Sequence, residues 1–186
     1  MYIIIKINAS SNKGELSLAK YNTKQLASGG LMAALVIIGT MIVQVPTPTK
    51  GYIHIGDSMV YLCGILLGPW AGGMAAAVGS GFADMFSGYG IYAPATFFIK
   101  GIDALAVGYC YKMIVFKDST VIKKSIAFIV AFLIGGTIMV LGYLAYETFL
   151  YGFPIAVLGI VGNITQAVGG GVLALPLVLV LERVKI

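Results

Sequence analysis

Long apolar runs alternate with short polar breaks along this chain, and the breaks are marked by Pro, Gly and charge. The first run covers residues 26–45 and stops at Pro46 and Pro48. A loop of turn-forming and polar residues follows, 46–57, which carries Lys50, His54 and Asp57. The second run, 58–67, is short for a full crossing. It ends at Gly68-Pro69, because proline disfavours helix at the residue before it. The third run, 70–86, is crowded with Gly and Ala, which lets neighbouring helices approach closely. A Gly/Tyr loop, 87–92, leads to a fourth run at 94–111. The connector 112–124 is basic, and the fifth run covers 125–147. A short aromatic loop, 148–153, passes through Pro154 into the last run, 155–181. A bilayer-spanning helix needs about 20 apolar residues. The pattern therefore predicts an all-α fold: an integral membrane six-helix bundle in one domain, 25–184, behind an N-terminal segment, 1–24.

Charge gives this bundle a direction. Of the 12 Lys+Arg, most fall into three groups. Lys6, Lys13, Lys20 and Lys24 precede the first run, Lys112, Lys117, Lys123 and Lys124 occupy the connector, and Arg183 and Lys185 close the chain. Positive residues remain on the cytoplasmic side of membranes. Both termini and the connector are therefore expected in the cytoplasm of a multi-pass plasma-membrane protein. The loops 46–57, 87–92 and 148–153 then face outside. Only Glu15, Asp118 and Glu182 among the acids accompany the basic groups; Asp57, Asp84, Asp103 and Glu147 lie toward the opposite face.

Composition excludes several classes. Hydrophobic residues make up 59% of the 186 positions and charged residues 10%, against about 25% charged in soluble domains. Mean hydropathy is +0.97. The net charge of +5 comes from lysines flanking apolar runs, which encodes orientation and gives no nucleic-acid stripe. No cleavable signal peptide is expected from the short apolar stretch 1–7, which carries Lys6 and lacks a cleavage site. Cys63 and Cys110 lie inside apolar runs and read as small buried hydrophobes. Trp70 reads as an interface anchor. No Walker-type glycine loop is present, and nothing resembles a haem, zinc or flavin ligand set. No metal site and no catalytic residue is assigned.

Ionisable groups in a membrane protein usually face its interior or a wet cavity. Asp84 ends the third run, Lys100 and Asp103 lie in the outer half of the fourth, Glu147 ends the fifth, and Asn163 and Gln166 lie early in the sixth. Tyr89, Tyr92, Tyr143, Tyr146 and Tyr151 surround that level, with His54 on the first loop. An apolar cavity with a few convergent polar groups suits a small ligand. Each residue also has a structural reading. Lys100 and Asp103 are an i, i+3 pair that can neutralise each other. Asn163 and Gln166 can join helices by hydrogen bonds. Asp84, Glu147 and His54 can be solvated at the interface, and the tyrosines can form an aromatic belt. In the first run, Gly29 and Ala33, like Gly30 and Ala34, are four apart and form a small-residue stripe for helix docking, within the protein or to another membrane subunit. Two other functions are weighed. An intramembrane hydrolase on Gly79-Ser80-Gly81 needs a base, and the one histidine lies on a loop. A passive channel needs polar groups at several depths.

The first helix GGLMAALVIIGT, the run IHIGDSMVYLCGILLGPWAGGMAAAVGSGFADMFSGY and the stretch FFIKGIDALAVGY resemble the substrate-binding S component of energy-coupling factor (ECF) vitamin transporters, over about residues 25–184. The resemblance implies a six-helix subunit that is not an enzyme and holds no cofactor. It implies capture of a vitamin or its precursor near the outer face by the later helices and the first, third and fifth loops. Docking of the first helix onto a transmembrane coupling subunit (T component) is implied too, with ATP used only by two cytoplasmic ATPase partners. Among ligands, hydroxymethylpyrimidine or pyridoxine is favoured, riboflavin next, because Asp84, Asp103 and Glu147 suit amino groups or protonated ring nitrogens.

Overall fold

The computed structural model describes residues 23–184 apart from 48 and 117. The N-terminal segment therefore lies outside the described residues up to residue 22, as do Lys117 and Lys185. Six helices follow one another: α1 Thr23–Ile42, α2 Asp57–Leu66, α3 Pro69–Phe86, α4 Ala93–Ile114, α5 Val121–Tyr151 and α6 Phe153–Val184. The all-α bundle expected from the apolar runs is the observed fold. Helices α1, α5 and α6 are long and apolar enough to cross a membrane.

The first loop departs from expectation. It folds into an antiparallel ribbon, β1 Gln44–Pro46 and β2 Tyr52–His54, with Gln44 opposite His54 and Pro46 opposite Tyr52. Helix α2 has 10 residues, about 15 Å at the α-helical rise, half of a hydrocarbon core about 30 Å thick. Helices α1 and α6 contact strand β2. The fifth loop is also shorter than expected. Helix α5 runs on to Tyr151 because no breaker precedes Gly152, whose φ of 85° turns the chain directly into α6. Glu147 is thus inside α5 and buried rather than at a solvated end.

Helix α2 is the inner element. It packs on α3, α4, α6 and α1, while α3 lies between α1 and α4, α4 against α5, and α5 against α6. Glycine makes this possible at two close approaches. A Cβ on Gly72 would collide with the carbonyl of Cys63, and one on Gly64 with the carbonyl of Ala104. Backbones of α2, α3 and α4 therefore touch, as the Gly/Ala-rich third run suggested. Val36, Val60, Tyr61, Cys63, Val107 and Phe128 fill the apolar core around them. At the connector end, Lys124 pairs with Glu182 at 2.8 Å. Cys63 and Cys110 are free thiols; Cys63 is buried as expected, whereas Cys110 is only half-buried.

The glycine contacts give a direct test. Gly72→Val should destabilise the bundle by about 2 kcal/mol or more, seen as a lower unfolding temperature in detergent. Gly30→Val, where a Cβ meets nothing within 4 Å, should leave that temperature unchanged.

Candidate functional site

The ribbon lies across the end of the bundle opposite the basic connector, and two helices and the turn before α4 fasten it. Strand alternation puts Tyr52 and His54 on one face of β2, and their rings are 5.2 Å apart. The Tyr52 hydroxyl donates to Asp84 Oδ1 of α3 at 2.6 Å. The backbone N–H of His54 donates to Gln166 Oε1 of α6 at 3.0 Å. At the tip, the hydroxyl of Tyr92, which precedes α4, donates to the Thr49 carbonyl at 2.6 Å. Gln44 Nε2 adds a bond to Ser87 Oγ at 2.7 Å.

Beneath the ribbon is a polar cavity with about 30 Å³ of free space, room for a water or two. From the helices, Asp84, Tyr92, Thr96, Tyr143, Glu147, Asn163 and Gln166 line it, with His54, Tyr52, Thr47, Thr49 and Gly51 from the ribbon and its tip. Thr96 and Tyr143 share a hydrogen bond at 3.0 Å, and Tyr92 reaches Glu147 Oε1 at 3.3 Å. The second carboxylate oxygens, Asp84 Oδ2 and Glu147 Oε2, are buried with no hydrogen-bond partner. Buried acceptors without donors are costly, so this cavity offers two strong acceptor positions to a donor-bearing guest.

One layer behind this lining, joined to it through Gln166 and Tyr143, a buried ion pair forms the floor of the site. Lys100 Nζ meets Asp57 Oδ1 at 2.5 Å, with both side chains fully buried. Gln166 Nε2 donates to both Asp57 oxygens at 3.2 Å. Lys100 also lies against Met139 Sδ and 5.7 Å from the centre of the Tyr143 ring. The expected Lys100–Asp103 pairing is therefore corrected. Asp57 opens α2, where the helix N-terminus favours an anion, and Lys100 reaches across to it. Asp103, fully buried, rests against Gly135 of α5, and neither carboxylate oxygen has a hydrogen-bond partner.

The expected residues thus sort by distance from the cavity. His54, Asp84, Tyr92, Tyr143, Glu147, Asn163 and Gln166 line it. Tyr89 stacks on Tyr52 with ring centroids 4.3 Å apart, and Tyr146 packs edge-on to Tyr92 at 5.7 Å while donating to the Ile91 carbonyl. Lys100 and Asp103 form and flank the floor. His54 is buried, not solvated. Tyr52, Thr49, Thr96 and Asp57 were missed as site residues. The alternation Tyr52-Ile53-His54 after the turn residues 46–51 carried a hairpin signal, and that signal points to Tyr52.

The small-residue stripe on α1 divides. Successive helical residues are 100° apart, so the two i, i+4 pairs face different sides. Ala33 is buried, its carbonyl close to Gly79 of α3, and Gly29 is half-buried; Gly30 and Ala34 are exposed. Ser80 is buried and, among the described residues, no base is hydrogen-bonded to its hydroxyl. Below the floor the core is apolar, unlike a lined channel. Trp70 is half-exposed with its ring edge-on to Tyr109.

Comparison with known proteins follows this geometry. The solved S component of a bacterial ECF transporter superposes with a TM-score of 0.61 over 87% of this chain and 94% of its own, at 22% identity, which shows that the two share a fold. An uncharacterised protein of Pyrococcus woesei is 38% identical over 136 residues, 73% of this chain and 86% of that protein. The model of the ECF-type riboflavin transporter S component family matches residues 20–183, and the chain belongs to that family. It is therefore a membrane S component for vitamin uptake, a transport subunit in a family that works with a coupling subunit and ATPases.

His54 gives the ribbon a pH dependence. Burial holds its pKa down to about 4, against an ordinary 6.5, with Asp57 opposing and Lys100 adding to the shift. Its Nδ1 accepts the Gly56 N–H at 3.1 Å, which requires the neutral ring. The unfolded chain takes up a proton below about pH 6.5 and the folded one only near 4. Stability is thus intact above 6.5 and lost as pH falls toward 4, by up to about 3 kcal/mol. Thermal unfolding between pH 7.5 and 4.5 should show this loss, and His54→Asn should flatten it.

Proposed function

We propose that the cavity beneath the ribbon binds an aromatic vitamin of the riboflavin class, and that the ribbon must lift to admit it. One observation carries the reading: carboxylates, amides and tyrosines from α3, α5 and α6 and from the turn before α4 converge under a ribbon that they themselves fasten. Small-ligand pockets occupy about 300–1,000 Å³, far above the free space enclosed here. Entry therefore requires ribbon displacement, which frees Asp84, Gln166 and Tyr92. A planar ring stacks among Tyr52, Tyr92 and Tyr143, and hydroxyl groups of a substituent chain donate to Asp84 Oδ2 and Glu147 Oε2. The family match supports riboflavin. The acidic lining favours a second reading, hydroxymethylpyrimidine or pyridoxine, whose amino or ring N–H groups suit Asp84 and Glu147.

The binding domain is 25–184, and 1–24 a cytoplasmic segment. The connector end, with Lys112, Lys123 and Lys124, faces the cytoplasm with both termini, and the ribbon faces outside. Release is driven by the coupling subunit and its two ATPases, which supply the ATP hydrolysis. Docking uses the outward face of α1 at Gly30 and Ala34, while Ala33 packs internally.

Titration of purified protein with riboflavin, hydroxymethylpyrimidine and pyridoxine tests the ligand. Riboflavin should bind, and Asp84→Asn and Glu147→Gln should each weaken it tenfold or more. Binding of a pyrimidine or pyridine alone replaces the flavin reading, and silence across all three defeats the site. Separately, Ala34→Trp should abolish co-purification with a coupling subunit while sparing ligand affinity. Retained assembly would place the docking face elsewhere.

A further inference from the structure

We propose that Asp103 is the standby counter-ion of Lys100, a positioning residue that holds the lysine when the ribbon lifts and so sets how readily the site opens. The proposal rests on the ribbon-gated reading above. Lys100 is fully buried and its ammonium meets Asp57 at 2.5 Å. Asp57 is the third residue after His54 of β2, and Gln166 ties the two together by accepting from the His54 N–H and donating to Asp57. Displacing the ribbon therefore pulls on the one partner that neutralises Lys100. A buried ammonium stripped of its counter-ion is strongly unfavourable, and that penalty by itself would keep the ribbon shut.

Asp103 removes the penalty. It lies three residues beyond Lys100 on α4, within reach on one helix face. It is itself fully buried, and both its carboxylate oxygens lack a hydrogen-bond partner in the closed arrangement. Gly135, against which it rests, offers no side-chain donor, and the hydroxyl of nearby Tyr61 donates to the Ala167 carbonyl instead. A polar group kept inside an apolar wall without a partner is unexplained by packing, and is explained by a partner that arrives in another state. In the closed state Lys100 belongs to Asp57; in the open state it belongs to Asp103. The lysine is never unpaired, and Asp57 is left to Gln166.

Hydrogen exchange at the ribbon amides of the intact protein, without ligand, reads this balance. The N–H groups of Thr47 and His54 are bonded to Gly51 and Gln166 in the closed ribbon. Asp103→Asn withdraws the open-state partner, so exchange at these amides should slow about fivefold or more. A residue with a merely structural role would loosen the fold and speed exchange. Asp103→Glu should restore the wild-type rate. Asp57→Asn withdraws the closed-state partner and should speed exchange by a similar factor. Unchanged or faster ribbon exchange in Asp103→Asn, or unchanged exchange in Asp57→Asn, overturns the proposal. Since no ligand is added, a failure to bind riboflavin sinks the flavin reading without touching this result.

Discussion

The ion pair between Lys100 and Asp57 is the constraint around which this structure is arranged. Two opposite charges buried in an apolar bundle gain from each other, but their desolvation is expensive, and the balance is favourable only with good geometry and extra hydrogen bonds. Both conditions appear here. Asp57 is at the start of α2, with Gln166 donating to both of its oxygens, and Lys100 is enclosed by Met139 and Tyr143. The pair ties α2 to α4 and, through Gln166, to α6 and the ribbon. It fixes the floor of the cavity and the register of the elements that make its walls.

Above that floor, the proposed recognition draws on residues that also hold the ribbon shut. The ribbon has two three-residue strands, too little for a stable hairpin of its own. What holds it is a set of hydrogen bonds to Asp84, Gln166 and Tyr92, each from a different part of the bundle. On the proposed function, a guest contacts residues that also fasten the ribbon, so occupancy and closure are coupled through shared side chains rather than by distant transmission. Burial and the Asp84 carboxylate hold the Tyr52 phenol well above its usual pKa, so it stays a donor at any physiological pH.

Much of this was readable from the chain, because the bilayer is a strict solvent. It forces apolar runs into helices and expels charge from them, so helix number, the basic connector and the gathering of Asp84, Glu147 and Gln166 follow from pattern alone. What failed depended on three-dimensional partner choice. The i, i+3 spacing of Lys100 and Asp103 is a statement about one helix, and it lost to Asp57 arriving from another. The two small-residue pairs of α1 looked like one stripe until the helix was wound. The ribbon was missed because its strands are short and embedded among turn residues, where helix and loop were the competing readings. Glu147 was read as a helix-end acid because an aromatic stretch was read as a break, although nothing before Gly152 interrupts helical hydrogen bonding.

The brevity of α2 has a consequence for how the protein comes into being. Helices α1, α5 and α6 carry enough apolar length to enter a bilayer one by one. A 10-residue helix with an ionised side chain at its start does not. Its place depends on glycine contacts with α3 and α4 and on a lysine from α4, all of which are synthesised after it. The segment that builds the floor therefore gains its full set of contacts only once α3 and α4 are in place beside it.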